Sequence, residues 1–407
     1  MDVVLWGISA LRLYRIPPWL RRDLAARFAR AYLLHRPSTV DQLAVDLIGR
    51  PVHVMVRERA ARWSLKHVKC HLWSADLPAG AVEECGPYVS CAAPEFALLQ
   101  LAPFVPYIHL CMLFHEVCGG FAACELPDAV RDELQALVGK GWHGSEGWCP
   151  VLDGAGRLTD LWQRPACVEV GSVARFAERN ASARGGARLL RATQDCFGCA
   201  RSPFEVCAAL QYGLSRMRGG EGRHVRLDGR IDLSRSGRIL ADQSVCYADL
   251  LAESRDGSKQ LVIECQSRLI HSTAERQLLD FDRQVALQAM GYEYIPLTYA
   301  QLKSDERHRE MAELVGMLLG HLEGVPVGCR ASGARPLDPV RYAARVAARL
   351  AGELRVRAPA LAVEPRRPPL ELGGVLGGWA SHICLRSPFG ASCRNGARRV
   401  NGNGGDS

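Results

Sequence analysis

Residues 246–266, CYADLLAESRDGSKQLVIECQ, contain two short apolar runs on either side of the turn sequence Asp256-Gly257. This pattern predicts a β-hairpin. One acid interrupts each run, Asp249 in the first strand and Glu264 in the second. Because side chains alternate along a strand, Glu264 and Gln266 share one face. With Asp249 on that face as well, the hairpin would carry a polar corner beside an apolar one.

The composition is that of a folded protein with more than one domain. The chain has 407 residues, of which 48% are hydrophobic, so it can build sizeable cores. It has no run of about 18 uncharged apolar residues, so we expect no membrane span and no membrane partner. The N-terminus, MDVVLWGIS, lacks the basic segment of a secretory signal. We therefore expect a cytoplasmic protein whose sixteen cysteines are reduced.

Outside the hairpin, the spacing of cysteines and histidines gives little indication of a metal site. Cys196 and Cys199 have the CxxC spacing of some zinc sites, but we find no second pair at such a spacing. This favours a structural or incidental role for them. The histidines of the N-terminal part are interpreted in the same way, as packed or surface residues: His53, His67, His71, His109 and His115.

The positive charge is concentrated at the C-terminus. From Arg330 onward there are thirteen arginines, no lysine and five acidic residues, which account for the whole formal charge of +8 and leave residues 1–329 neutral. The body of the chain is therefore no general polyanion binder, and any nucleic-acid contact must come from a local patch. The Arg-, Gly- and Pro-rich tail is predicted to be largely disordered. Its arginines either anchor nucleic acid or are simply solvated.

The predicted fold class is α/β, in four segments. Residues 1–125 form a small α+β region that begins with helices over 1–36, and 126–187 form a helical connector. Residues 188–323 form an α/β domain with a mixed central sheet flanked by helices. Residues 324–407 form the tail.

The hairpin is flanked by helices that supply further candidate residues. Ser202 and Pro203 are suited to the N-cap and first position of a helix, and Glu205 then completes a capping box. The other interpretation, which does not exclude capping, places Glu205 at the polar corner. His271 follows the hairpin. A helix over 273–290 is then predicted to carry Arg276, Asp280 and Arg283 on one side.

Two or three carboxylates at one corner are the ligands that Mg²⁺ or Mn²⁺ needs for phosphodiester hydrolysis. Asp249, Glu264 and Glu205 are the candidate metal ligands. Gln266 or His271 would orient the water or neutralise developing charge, although Gln266 has no charge and cannot act as a base. Acids at such positions also form ordinary salt bridges, and an arginine bound to Glu264 would argue against the metal interpretation.

An ordered set of motifs from Ser202 to Leu302 resembles the very-short-patch-repair-type branch of the PD-(D/E)XK nucleases. The set comprises Ser202-Pro203-Phe204-Glu205, Asp249, Glu264-Cys265-Gln266-Ser267, His271, then Asp280, Arg283, Ala286, Leu287, Gly291 and Tyr292, and finally Thr298, Gln301 and Leu302. The resemblance implies a restriction-endonuclease-like domain that hydrolyses DNA with Mg²⁺ or Mn²⁺. At position 266, where the family usually has aspartate, this chain has glutamine, which leaves metal binding intact and puts catalysis in question.

Residues 1–125 resemble abortive-infection antitoxins or regulators through the runs HLWSADLPAG (71–80) and YVSCAAPEFALLQLA (88–102). That resemblance implies contact with DNA or a partner protein and no catalytic residues. Three hypotheses follow for the whole chain. It is a metal-dependent endonuclease, a non-catalytic DNA-binding regulator or antitoxin that keeps the nuclease fold, or a structural protein whose Asp249 and Glu264 pair with Arg276 or Arg283.

Overall fold

The computed structural model describes residues 3–22, 47–62, 64–65, 68–86, 89–266 and 274–320. The described residues belong to one compact unit, Met1–Val356. His271, Ser267 and the predicted C-terminal tail lie outside the described residues. Among the helices of these ranges, none is both long enough and apolar enough to cross a membrane.

The structure is a mixture of helices and strands, as the predicted α/β class requires. The strands are β1 Val3–Leu5, β2 Val52–Val56, β3 Ser64–Leu65, β4 Val68–Leu72, β5 Val82–Gly86, β6 Val89–Ala92, β7 Phe121–Ala123, β8 Cys149–Leu152, β9 Leu158–Gln163, β10 His224–Asp232, β11 Val245–Glu253, β12 Gln260–Gln266 and β13 Glu293–Thr298. The helices are α1 Gly7–Tyr14, α2 Pro94–Leu101, α3 Tyr107–Cys118, α4 Asp128–Gly139, α5 Val170–Arg179, α6 Gly186–Gln194, α7 Pro203–Gly213, α8 Arg235–Ala241, α9 Ala274–Ala289, α10 Tyr299–Lys303 and α11 Asp305–Leu318.

The predicted hairpin forms β11 and β12 of a mixed four-stranded sheet with the order β10-β11-β12-β13. The first two pairings are antiparallel, and β13 runs parallel to β12 because α9 provides the crossover between them. Gly257 supplies the positive φ of 70° in the connecting turn. The sequence analysis predicted the hairpin, but it did not identify β10.

Helices cover both faces of this sheet. Leu261, Val262 and Ile263, three successive residues of β12, are fully buried, which requires cover on both sides. One face packs on α8 and α9 through a cluster that contains Leu251, Val262, Ala286 and Leu287. Helix α7 contacts β10, β11 and β12 and contributes nothing to that cluster, so it lies on the other face.

The N-terminal residues form a six-stranded sheet with the order β3-β4-β2-β1-β6-β5. Strand β1 pairs antiparallel with β2 and parallel with β6, so a three-residue strand occupies an interior position. The prediction of helices over 1–36 is therefore wrong for Val3–Leu5, because two neighbouring strands satisfy its backbone. A three-stranded sheet, β7-β9-β8, follows, and its strands β8 and β9 lie in the segment 126–187 that we predicted to be helical.

The thiols agree with the prediction at most described positions. Cys85 on β5 and Cys91 on β6, however, form a disulfide. The expectation that every cysteine is reduced is therefore wrong for this pair. None of the other described cysteines forms a disulfide.

Candidate functional site

Glu205 lies in the first turn of α7, and its side chain caps the helix. The Ser202 hydroxyl accepts the Glu205 N–H at 3.2 Å and donates to Glu205 Oε1 at 2.8 Å. The Arg201 N–H donates to Glu205 Oε2 at 2.7 Å. Ser202 therefore caps the helix as predicted, but the other half of the predicted capping box differs, because Glu205 accepts the Arg201 N–H and the Ser202 hydroxyl.

Asp249 lies where the regular alternation of side chains between the two faces of β11 is interrupted. Ala248 and Leu251 belong to the same apolar cluster although they are three positions apart, and an unbroken strand would place them on opposite faces. Asp228 is opposite Asp249 on β10 and has a φ of 49°. This conformation is uncommon for residues other than glycine but is tolerated by aspartate.

The same position ends the pairing between the two hairpin strands. The β11–β12 register runs as far as Leu250 and Ile263. Beyond it, Asp249 Oδ2 accepts the backbone N–H of Cys265 at 2.8 Å. The Asp249 side chain therefore accepts the N–H that a backbone carbonyl of β11 would accept in a continuing ladder. The other oxygen of Asp249, Oδ1, remains for another partner.

Glu264 is 5% exposed and pairs with Arg283 of α9, whose Nη2 lies 2.6 Å from Glu264 Oε2. The other carboxylate oxygen, Oε1, is buried and has no hydrogen-bond partner. An unsatisfied oxygen on a buried carboxylate costs roughly 1 to 3 kcal/mol or more. An arginine therefore binds Glu264, as the hypothesis of a purely structural protein requires. It binds only one of the two carboxylate oxygens, however, and leaves the other without a partner.

Asp249 acts electrostatically on both Glu264 and Glu205. Burial raises the pKa of Glu264 to about 8, and the charge of Asp249 contributes despite the opposing effect of Arg283. Burial and the charge of Asp249 also raise the pKa of Glu205, to about 7. Burial raises the pKa of Asp249 itself. Acids with raised pKa values held close together are typical of functional sites, since a bound cation relieves the repulsion.

Of the remaining predicted residues, the structure describes only Gln266. Gln266 is exposed at the end of β12, and His271 lies outside the described residues. Asp249 and Glu264 offer oxygen ligands that suit Mg²⁺ or Mn²⁺, and the unpartnered Oε1 of Glu264 supports that fit. In the part of the chain that the structure describes, however, no three His, Cys, Asp or Glu side chains converge closely enough to hold a metal ion.

A basic and aromatic rim, which the sequence analysis missed, borders the acids. Arg201 pairs with Asp228 at 3.1 Å, and its guanidinium lies 5.7 Å from the ring centre of Tyr247. More than half of the Arg201 side chain is exposed. Only the position of Arg201 directly before Ser202 pointed to it in the sequence, because Asp228 and Tyr247 come from distant strands.

Comparison with known proteins adds no family to this description. No protein-family model, no curated protein and no solved structure matches the chain.

Proposed function

We propose that the four-stranded sheet carries an endonuclease-like site in which Asp249 and Glu264 bind Mg²⁺ or Mn²⁺ and DNA is the substrate. The observation that carries this proposal is the unsatisfied, buried Oε1 of Glu264 beside Asp249, whose charge raises the pKa of Glu264. Two neighbouring buried acids on adjacent strands are costly for the fold alone. A divalent ion would offset that cost and would activate water and neutralise phosphate charge.

The order of the elements agrees with the resemblance found in the sequence. The chain runs from a helix with Glu205, through strands with Asp249 and Glu264, to the helix with Arg283 and then to β13. This order supports the proposal without establishing the family.

Arg283 supplies the positive charge that Gln266 lacks. Its guanidinium lies against Glu264, and Asp249 contributes to raising its pKa. If Glu264 held a cation, Arg283 would be released and its planar donors would bind a phosphate oxygen. In this proposal, Asp249 and Glu264 hold the ion, Glu205 positions Arg201 through its backbone bond, and Arg283 and Arg201 contact phosphate.

A second candidate function is binding of DNA without cleavage. Two observations favour it: Arg283 already neutralises Glu264, and the position expected to carry an acid holds Gln266. The exposed Arg201 and Tyr247 would then contact the nucleic acid by charge and stacking.

Supercoiled plasmid and the full chain, incubated with Mg²⁺ or Mn²⁺ and separately with a chelator, test both candidates. The variants are Asp249→Asn and Glu264→Gln, with Glu253→Gln as the matched control. Glu253 lies on the same strand, four residues and about 13 Å from Asp249, and its carboxylate accepts a hydrogen bond from the Gln260 side chain of the neighbouring strand at 2.9 Å. DNA affinity is measured in parallel by a mobility shift.

Cation-dependent nicking by the wild type and Glu253→Gln, with a loss of at least tenfold in the other two variants, supports the nuclease. DNA binding without nicking, which Arg201→Ala weakens, supports the second candidate and refutes the first. A chain that neither binds nor cleaves DNA refutes both.

A further inference from the structure

An exposed aromatic side chain lies beside the acidic cluster on the four-stranded sheet. Cys246 and Ala248 belong to the apolar cluster that packs on α8 and α9. Because side chains alternate along a strand, Tyr247 points to the opposite face of β11. It precedes Asp249 by two residues, about 7 Å along the strand, and is 42% exposed. An open aromatic surface therefore adjoins the proposed cation ligand Asp249.

Two arginines adjoin the Tyr247 ring. Arg201, in the loop before α7, has its guanidinium 5.7 Å from the ring centre. Arg230 is the direct partner of Tyr247 across the antiparallel pair of β10 and β11, and the side chains of such partners are neighbours on one face. More than half of each arginine side chain is exposed. We call the group of Arg201, Arg230 and Tyr247 the stacking platform.

Both arginines of the stacking platform have carboxylate partners that a phosphate can replace. Arg201 pairs with Asp228 at 3.1 Å, and Arg230 pairs with Asp232 at 2.6 Å. Ion pairs between exposed side chains contribute little to stability, because water solvates both charges. Phosphate oxygens match the planar donors of arginine as well as a carboxylate does. The platform can therefore exchange its internal ion pairs for contacts with a phosphate backbone.

The chemistry of the stacking platform fits an unpaired base. Aromatic rings and the guanidinium planes of arginine both stack on the faces of bases. In a duplex, the neighbouring base pairs cover those faces, and a protein reaches the base edges and the phosphates. A single strand exposes the faces, and stacking on one aromatic side chain raises affinity by about 5- to 150-fold per base.

We propose that the stacking platform binds single-stranded DNA, with one base stacked on Tyr247 and the adjoining phosphates on Arg201 and Arg230. This inference rests on the proposed function, because it names the form of DNA that reaches Asp249 and Glu264. A base on Tyr247 places the strand beside Asp249, which follows two residues later on β11. Unpaired or melted DNA is then the preferred ligand over an intact duplex.

Fluorescence anisotropy with a labelled DNA strand of about twenty mixed nucleotides, alone and annealed to its complement, tests this inference. The full-length protein is measured at low salt in the presence of a chelator, so that no strand is cleaved. The single strand should bind at least about fivefold more tightly than the duplex. Tyr247→Leu removes the ring and keeps an apolar side chain. It should lose at least about fivefold in single-strand affinity and change duplex affinity by less than about twofold.

Three matched variants separate stacking from other effects. Tyr247→Phe keeps the ring and should bind the single strand as wild type does. Phe281→Leu removes an aromatic side chain that is 66% exposed on α9 and should change neither affinity. Arg230→Gln removes one phosphate contact and should lower the salt dependence of single-strand binding. Circular dichroism verifies that each variant is folded.

The possible results separate this inference from the proposed function. A single-strand preference below about fivefold overturns the inference and leaves the proposed function standing, since duplex DNA is then bound comparably. A folded Tyr247→Leu that loses less than about fivefold in single-strand affinity overturns the inference too, as does an unchanged salt dependence in Arg230→Gln. Binding to neither form in chelator also overturns it, and cation-dependent nicking of plasmid then tests the proposed function separately.

Discussion

Asp249→Asn should make the metal-free protein more stable at pH 8. The asparagine Oδ1 can still accept the Cys265 N–H that Asp249 now accepts at 2.8 Å, so the substitution removes the charge and keeps the contact at the end of β12. What disappears is the repulsion that Asp249 exerts on Glu264 and Glu205.

The magnitude follows from the raised pKa values. Glu264 rises from an ordinary value of 4.5 to about 8, and each pH unit of such a rise corresponds to about 1.4 kcal/mol. Burial is the largest cause and remains in the variant, so Asp249 accounts for the smaller part. With Glu205 affected in the same sense, the expected gain at pH 8 is on the order of 1 to 2 kcal/mol.

The effect must depend on pH with a defined sign. A carboxyl group whose pKa is higher in the folded than in the unfolded protein stabilises the fold when protonated. That contribution is full below about pH 4.5 and is lost as the pH rises through about 7 for Glu205 and about 8 for Glu264. The stability difference between Asp249→Asn and wild type should therefore be small at pH 5 and should grow toward pH 8.

Urea denaturation followed by tryptophan fluorescence at several pH values, without divalent cations, measures this difference. Glu253→Gln on the same strand serves as the control and should show no comparable growth with pH. A difference that is constant with pH, or a variant less stable than wild type at pH 8, would refute the electrostatic description of the cluster.

Two further predictions concern the helices that carry the site. Ser202→Ala removes the hydroxyl that bonds Glu205, so it should cost about 1 kcal/mol in urea denaturation at pH 7, while Ser202→Thr should retain most of the stability. Leu287→Ala should cost about 2 to 4 kcal/mol because the side chain is 1% exposed, whereas Phe281→Ser, at a residue 66% exposed on the same helix, should change stability by less than about 0.5 kcal/mol. The reverse order would show that α9 is rotated and that Arg283 cannot lie against Glu264.

Local patterns were sufficient to predict the elements that flank the site. The Asp256-Gly257 turn between apolar runs predicted the β11–β12 hairpin, and Ser202-Pro203 predicted the start of α7 at Pro203. These signals are chemical and act within a few residues, since the turn needs a positive φ and the helix needs an N-cap.

The strands that the sequence analysis did not predict form by pairing with residues that are distant in the sequence. Strand β1 has three residues, and its backbone is satisfied only by β2 and β6, the nearest of which is about fifty residues away. Strand β10 contains Gly229 and several charged residues, which weaken the alternation that marks a strand. Local propensity carries no information about such partners.

The candidate site shows the same division between features that local sequence predicts and features that depend on distant residues. The sequence identified Asp249 and Glu264 because acids are unexpected in apolar runs, and it identified Glu205 from its position in the first turn after Ser202 and Pro203. It left open whether Arg276 or Arg283 would pair with Glu264, and the structure shows Arg283 paired with it. It missed Arg201, because the partners that hold Arg201 at the site, Asp228 and Tyr247, come from two other strands.

The segment from Ala200 to Glu205 connects the end of α3 to the acidic cluster. The Ala200 carbonyl accepts the Gly120 N–H beyond α3, and the next residue, Arg201, donates its N–H to Glu205. Both bonds use the backbone, at the peptide group between Ala200 and Arg201, so they fix the path of this segment. Because loops are ordered by such contacts, the exposed guanidinium of Arg201 is held at the rim of the acids by these two hydrogen bonds.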